Sequence, residues 1–81
     1  MVRAIHSPDN ERLRALLQAA REKVGLTQAE VAAKLERPQS FVSKYENGER
    51  HLGLLEFIDV CHALGADPKA IIARLTSGRR A

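Results

Sequence analysis

The amino-acid sequence predicts a single small all-α domain of five helices, on three observations. Apolar residues make up 44% of the chain but aromatic residues only 4%, so the core must consist mainly of aliphatic side chains, which favours helices over sheets. Apolar residues recur at helical spacings of three and four. Residues that begin and end helices bracket successive segments. A chain of 81 residues can fold alone but buries only about 60 to 65% of its unfolded surface, which leaves little room for a large internal catalytic cleft.

The first helix is predicted to begin after Ser7, where a hydroxyl caps the helix, Pro8 fills the first position and Asp9 lies near the positive end of the helix dipole. Gly25 is a typical residue to end it. One face of the helix carries apolar residues at regular spacing, namely Leu13, Leu16, Leu17, Ala20 and Val24. Residues 1–7 are interpreted as an N-terminal arm.

The second and third predicted helices lie in the stretch TQAEVAAKLERPQSFVSKYENGE, residues 27–49. Thr27 and Glu30 form a capping box, so helix two should run from about 28 to 35. Helix three must begin near Pro38 or Gln39, because proline is favoured at the first position of a helix and excluded from its interior. Only residues 36–37 then remain for the joint. Val42 and Tyr45 form the inner face of helix three, and Asn47 with Gly48 ends it.

Two more helices complete the predicted domain, which spans residues 8–75. Helix four, over 54–64, is strongly apolar, ends at Gly65, and has one face made of Leu54, Phe57, Ile58, Cys61 and Leu64. Helix five begins at Asp67 and Pro68 and carries Ile71, Ile72 and Leu75. Residues 76–81 are interpreted as a basic tail, in which we expect Arg79 and Arg80 to be disordered and not bound to DNA.

Cysteine and histidine content argues against disulfide, zinc and catalytic sites. Cys61 is the sole cysteine, so no intramolecular disulfide or cysteine-rich zinc site can form, and a reducing, cytoplasmic location is expected. Its place on the apolar face predicts a buried, inert thiol. His6, His51 and His62 share no metal-ligand spacing. We therefore expect no metal, no cofactor and no enzymatic activity. No apolar run is long enough to span a bilayer and the N-terminus has no apolar h-region of a signal peptide, so we expect a soluble protein that is not exported.

Net charge favours an anionic partner only weakly. The formal charge is +3, which many ordinary soluble domains share. Within residues 27–50, four basic side chains are balanced by four acidic ones: Lys34, Arg37, Lys44 and Arg50 against Glu30, Glu36, Glu46 and Glu49. Net charge therefore does not identify a surface for an anionic partner, and evidence for one must come from the arrangement of the side chains.

Two short helices with a tight joint, the second presenting polar side chains, have the geometry of a DNA-binding helix-turn-helix at about residues 27–47. The stretch resembles the Cro and lambda-repressor-like (Xre-type) family in Gln28 at the start of helix two, Ala32 between the helices, Val42 in the core, and the sequence YENG at 45–48. The resemblance covers about residues 15–75. It implies a compact five-helix lambda-repressor-like domain.

The resemblance also implies a function and a set of roles. Such proteins are transcriptional regulators, here interpreted as a repressor, that bind palindromic operators in double-stranded DNA as homodimers through the major groove. The positions that would contact bases are Gln39, Ser40, Ser43 and Lys44, and those that would contact the DNA backbone are Gln28, Arg37, Asn47 and Arg50. Arg21 and Glu46 would form a structural pair. The base-contacting types fit, because Gln can bind adenine, Lys guanine, and Ser either base.

Three features leave alternatives. Phe41 could cover a thymine methyl group or pack against Pro38 and Tyr45. Glu36 stands where many members of the family that this stretch resembles have glycine. Either the turn differs slightly from the turn of those proteins, or Glu36 adopts a left-handed conformation at a cost of about 1 kcal/mol. For the dimer we expect an interface on helix five formed by Ile71, Ile72 and Leu75. The alternative is that all three pack inward and the monomer pairs only on DNA.

A second function class is an interaction module, such as an antitoxin that holds a toxin partner and autoregulates its operon. Small Xre-type domains serve both purposes, but few residues lie outside the five helices to wrap a toxin. An enzyme is the weakest hypothesis, because no nucleophile with a base, paired carboxylates or phosphate-binding glycine loop is evident.

Overall fold

The computed structural model describes residues 7–78, which form five helices with no strand among them. The helices are α1 (Pro8–Lys23), α2 (Gln28–Leu35), α3 (Gln39–Asn47), α4 (Leu54–Leu64) and α5 (Pro68–Ser77). The predicted all-α, five-helix class is therefore confirmed. Most of the predicted N-terminal arm, including His6, and the tail residues Arg79 and Arg80 lie outside the described residues.

The helix starts follow from local capping hydrogen bonds. The hydroxyl of Ser7 accepts a hydrogen bond from the Asn10 N–H at 3.1 Å. Thr27 and Glu30 form the predicted capping box, in which the Glu30 N–H donates to the Thr27 hydroxyl at 3.1 Å and the Thr27 N–H donates to the Glu30 carboxylate at 2.8 Å. Asp67 accepts from the N–H of Lys69 at 3.0 Å. Each bond satisfies a backbone donor that the helix itself leaves free.

Glu36 forms the turn between α2 and α3 in a left-handed conformation, with φ 56° and ψ 42°. Its N–H donates to the Ala33 carbonyl at 3.1 Å, and the Arg37 N–H donates to the Ala32 carbonyl at 3.0 Å. These bonds close the end of α2 in the manner usual for a glycine in this position. Of the two alternatives for this turn, the strained residue is the one observed. Residues 36–38 separate the two helices, one more than predicted, because Pro38 precedes α3 in an extended conformation, and α2 and α3 pack directly against each other.

The core is built from side chains of all five helices, and its fully buried side chains include Leu17, Val31, Val42, Val60 and Cys61. Two residues predicted on inner faces are not in it: Val24 is 51% exposed and Leu54 is 69% exposed. Both lie at helix ends, where no neighbouring helix covers them. Conversely, Val60 lies outside the predicted face of α4 and is nevertheless completely buried, because the buried face still includes Phe57, Cys61 and Leu64 but turns away from Leu54 and toward Val60.

Helix α5 corrects the predicted dimer surface. Ile71 is only 8% exposed and belongs to the core, so its assignment to the interface is wrong: a side chain already buried in the monomer has no surface left to cover. Leu75 packs partly against the core, whereas Ile72 remains 46% exposed. The alternative in which all three residues pack inward is also wrong.

Within residues 7–78, no helix is long and apolar enough to cross a membrane. The same part of the chain holds no group of three or more potential metal-ligating side chains. Cys61 is fully buried, and this burial, with a smaller contribution from Asp67, raises the pKa of its thiol to about 11. The thiol is therefore protonated at neutral pH, which agrees with an inert core residue.

Candidate nucleic-acid interface

An ion pair between Arg21 and Glu46 connects α1 to the end of α3. Nε and Nη2 of Arg21 donate to the two carboxylate oxygens of Glu46 at 2.8 and 3.1 Å, and Nη1 donates to the Leu26 carbonyl at 2.9 Å. The Glu46 side chain is 3% exposed and that of Arg21 12%. The hydrogen bond with Glu46 is the main cause of a raised Arg21 pKa. A bidentate pair of this kind fixes the orientation of both side chains.

Gln28 lies in the same cluster and not on the open surface. Its amide nitrogen donates to Glu46 at 2.9 Å, so Glu46 joins α1, α2 and α3 through one carboxylate. The structure thus places the predicted phosphate-contacting side chain of Gln28 in a protein contact. One amide hydrogen of Gln28 is still free to donate elsewhere, because a primary amide carries two.

Arg14, which sequence reasoning did not single out, also holds α3. Its Nη1 donates to the backbone carbonyl of Glu46 at 3.0 Å, at the C-terminal end of a helix where a cation is favoured. Arg14 and Arg21 are seven residues apart and so lie on one face of α1. That spacing is the signal that could have indicated a second arginine contact with α3.

The two faces of α3 differ sharply. Phe41, Val42 and Tyr45 are buried, and the rings of Phe41 and Tyr45 meet edge to face with centroids 5.6 Å apart. Phe41 therefore packs on the protein, against Tyr45, which is the second of its two alternatives. On the outer face, the four predicted base-contacting residues occupy one side of two successive turns: Gln39, Ser40 and Lys44 are exposed and Ser43 is half-buried.

Beside this face, Arg37, Phe41, Arg50 and Glu56 form what we call the flank cluster. Nη2 of Arg37 and Nη2 of Arg50 both lie 3.2 Å from Oε2 of Glu56. The guanidinium carbons lie 4.4 and 4.7 Å from the centroid of the Phe41 ring, within the range of cation–π attraction. The two predicted backbone-contacting arginines are thus both paired with a carboxylate that sequence reasoning missed.

Glu56 is held at the start of α4 by a further bond, since the Gly53 N–H donates to its Oε1 at 2.9 Å. This backbone bond is the largest cause that lowers the pKa of Glu56, opposed by burial and assisted by the two arginines. The spacing of Gly53 and Glu56 could have indicated the cap. It could not have indicated the arginines, which come from other segments.

Asn47, the remaining predicted backbone contact, ends α3, and its amide nitrogen donates to the Glu49 carboxylate at 3.4 Å, a long hydrogen bond. Together these contacts produce a rigid three-helix base with one polar helix face exposed and two arginines beside it. An exposed face of amide, hydroxyl and ammonium groups can bind base edges, and the arginines can bind phosphates.

Comparisons with known proteins agree with this geometry. The helix-turn-helix family model HTH_3 matches residues 17–71, more than half of the chain. An XRE-family like protein from Pseudomonas syringae pv. tomato str. DC3000 is 47% identical, with 94% of this chain and 93% of that chain covered and a TM-score of 0.88. No protein of curated function matches significantly.

Two further solved structures are regulators. The clp gene regulator ClgR from Corynebacterium glutamicum is 25% identical over 93% of this chain and 97% of its own, with a TM-score of 0.78. The restriction-modification controller protein C.AhdI from Aeromonas hydrophila is 25% identical over 80% of this chain and 98% of its own, with a TM-score of 0.74. The chain spans nearly the whole length of these proteins.

Proposed function

Because the chain belongs to the Xre-type helix-turn-helix family of DNA-binding transcriptional regulators, we propose that it binds a palindromic operator as a homodimer and acts there as a repressor. The observation that carries this proposal is the exposed face of α3, where Gln39, Ser40 and Lys44 are exposed on a helix whose opposite face is locked into the core. Repression requires only occupancy, since a bound dimer excludes other proteins from the same stretch of major groove.

The base-contacting role is assigned to the outer face of α3. Gln39 is the first residue of α3, and the N-terminal residues of a recognition helix are those that reach base edges. Lys44 lies one turn after Ser40, and Ser43 one turn after Gln39, so the four residues occupy two adjacent rows on the outer side of α3. Gln39 suits adenine and Lys44 suits guanine, each contact being worth about 1 to 3 kcal/mol of discrimination. Ser40 and Ser43 provide shorter hydroxyl contacts between them.

The DNA backbone is assigned to residues around that face. Arg37 and Arg50 flank α3, and their side chains are 44% and 34% exposed, so both can reach phosphates without unfolding. Asn47 and the second amide hydrogen of Gln28 supply neutral donors at the two edges. Such contacts position the protein on the duplex without reading its sequence.

The dimer follows from the size of the reading surface. One recognition helix covers only a few base pairs, and two copies related by a two-fold axis double the site. The half-site centres should lie about 10 base pairs apart, one turn of roughly 34 Å, which places both helices on one face of the duplex. For the joining surface we retain Ile72 and Leu75 on α5, since Ile72 exposes an apolar side chain and Leu75 lies one turn away.

Selection of bound duplexes from a random pool tests DNA binding, base identity and symmetry together. The expected result is enrichment of a palindromic sequence with half-sites about one helical turn apart. A matched control is the double variant Gln39→Ala with Lys44→Ala, which changes only exposed side chains and should lose the enrichment while remaining folded. Failure of the wild-type protein to enrich any sequence would refute the proposal, and enrichment of a site without symmetry would refute the dimer.

A further inference from the structure

The flank cluster places one carboxylate between two DNA-facing arginines, and from this we propose that Glu56 limits the affinity of the protein for DNA by holding Arg37 and Arg50 until DNA phosphates replace it. This inference rests on the proposed function. It assigns to Glu56, a residue outside the recognition helix, the role of a positioning residue that acts through the two arginines.

The first argument is chemical equivalence. Oε2 of Glu56 lies 3.2 Å from Nη2 of each arginine, and Oε1 lies 3.3 Å from Nη2 of Arg50. A phosphate oxygen offers a guanidinium the same kind of acceptor as a carboxylate oxygen. A phosphate oxygen that bonds to Nη2 of either arginine therefore competes with the Glu56 carboxylate for the same group.

The second argument is that the contacts of the two arginines with Glu56 are weak enough for DNA phosphates to replace them. The side chains of Glu56, Arg50 and Arg37 are 24%, 34% and 44% exposed, and ion pairs accessible to solvent are weak. The buried pair between Arg21 and Glu46, at 12% and 3% exposure, is the opposite case and has no such freedom. The pair between Arg21 and Glu46 is thus fixed, whereas the contacts of Arg37 and Arg50 with Glu56 are exchangeable.

The third argument is that the cluster remains in place during the exchange. The buried ring of Phe41 supports both guanidinium groups, and the Gly53 N–H holds the Glu56 carboxylate at the start of α4. Glu56 therefore stays close to the arginines after they turn to DNA. A freed carboxylate near phosphates repels them and takes up a cation, which opposes the counterion release that drives binding.

The test is Glu56→Gln, which keeps the side-chain shape and the capping position, since glutamine also serves in a capping box. Binding to both the selected operator and a scrambled duplex should become roughly threefold to tenfold tighter at low salt, the range expected from removing two exposed ion pairs. The slope of log K against log salt concentration should become steeper by about 0.9, the value of one phosphate charge.

Two controls separate the arginines from net charge alone. Glu49→Gln makes the same charge change one residue before Arg50, and Glu49 bonds to Asn47 and not to either arginine. The change in log K for DNA binding that Glu49→Gln causes should be less than half the change that Glu56→Gln causes. When Arg37→Gln and Arg50→Gln are both present, Glu56→Gln should tighten DNA binding no more than Glu49→Gln does.

The outcomes are distinct. Wild-type protein that binds no duplex would overturn the proposed function and this inference with it. Wild-type protein that binds, with Glu56→Gln folded but no tighter, would overturn the inference alone, as would equal effects of Glu56→Gln and Glu49→Gln. Circular dichroism of each variant verifies that it is folded. Should Glu56→Gln unfold, Glu56→Ala at lower temperature takes its place in the comparison, and a folded Glu56→Ala that binds no more tightly than wild type would overturn the inference.

Discussion

Removal of Arg21 should destabilise the domain by a large fraction of its total stability. Glu46 is 6% exposed and its carboxylate accepts three hydrogen bonds, two from Arg21 and one from Gln28. Arg21→Met keeps the apolar stem and leaves a buried charge with one amide partner. Breaking one side of a buried pair costs about 3 to 5 kcal/mol, against about 4 to 12 kcal/mol of total stability for a domain of this size.

The free energy of unfolding, measured by urea denaturation, gives the size of this effect in a double-mutant cycle. Arg21→Met with Glu46→Leu replaces both charges by apolar groups and should cost less than Arg21→Met alone. Lys23→Met, an exposed change on the same helix, should alter stability by less than about 0.5 kcal/mol. Strictly additive single effects, or a loss below about 1 kcal/mol from Arg21→Met, would refute the reasoning that the pair fixes α3.

Four smaller perturbations have defined outcomes. Glu36→Gly should raise urea stability by about 0.5 to 1 kcal/mol by relieving the left-handed residue, whereas Glu36→Ala should give no such gain. Tyr45→Phe should leave the free energy of unfolding unchanged or raise it, because it removes a buried hydroxyl that makes no hydrogen bond and therefore carries an uncompensated desolvation cost; a loss above about 1 kcal/mol would contradict this. Ile72→Glu should leave a folded protein that sediments as a monomer, and an unchanged dimer would exclude this surface. The pKa of Glu56 is lowered in the folded protein, so its ionised carboxylate stabilises the fold at neutral pH, and this contribution is lost as the pH falls through the folded-state pKa, which lies below about 4.5. The urea midpoints of wild type and Glu56→Gln should therefore converge in acid. A difference in midpoint that does not change with pH would show that the carboxylate makes no such contribution.

The helices were predictable because their signals are local. The cap at Ser7, the box of Thr27 and Glu30, and the proline at 38 act within one turn of chain, so sequence alone locates the ends of α1, α2 and α3. The tight joint followed from those ends, although it comprises residues 36–38 and not only 36–37. The pairing of Arg21 with Glu46 was expected only from the family resemblance, since nothing local relates residues 25 positions apart.

The incorrect predictions concern which side chains are buried by tertiary packing. Helical spacing put Leu54 on the inner face, but periodicity cannot show that the first turn of α4 extends beyond its neighbours. It also could not show that Ile71 is absorbed by the core while Ile72, one residue on, is exposed. Glu56 was missed for the same reason, because its arginines approach from segments 19 and 6 residues away.

The central claim is that the outer face of α3 reads DNA sequence, and the binding of Gln39→Ala to two duplexes tests it most directly. The dissociation constant is measured for wild type and variant on the selected operator and on a scrambled duplex at one salt concentration. Loss of a base contact should weaken operator binding by about 1 to 3 kcal/mol, roughly 5- to 150-fold, and leave scrambled binding nearly unchanged. An equal loss on both duplexes would contradict the claim, because it would make Gln39 a backbone contact.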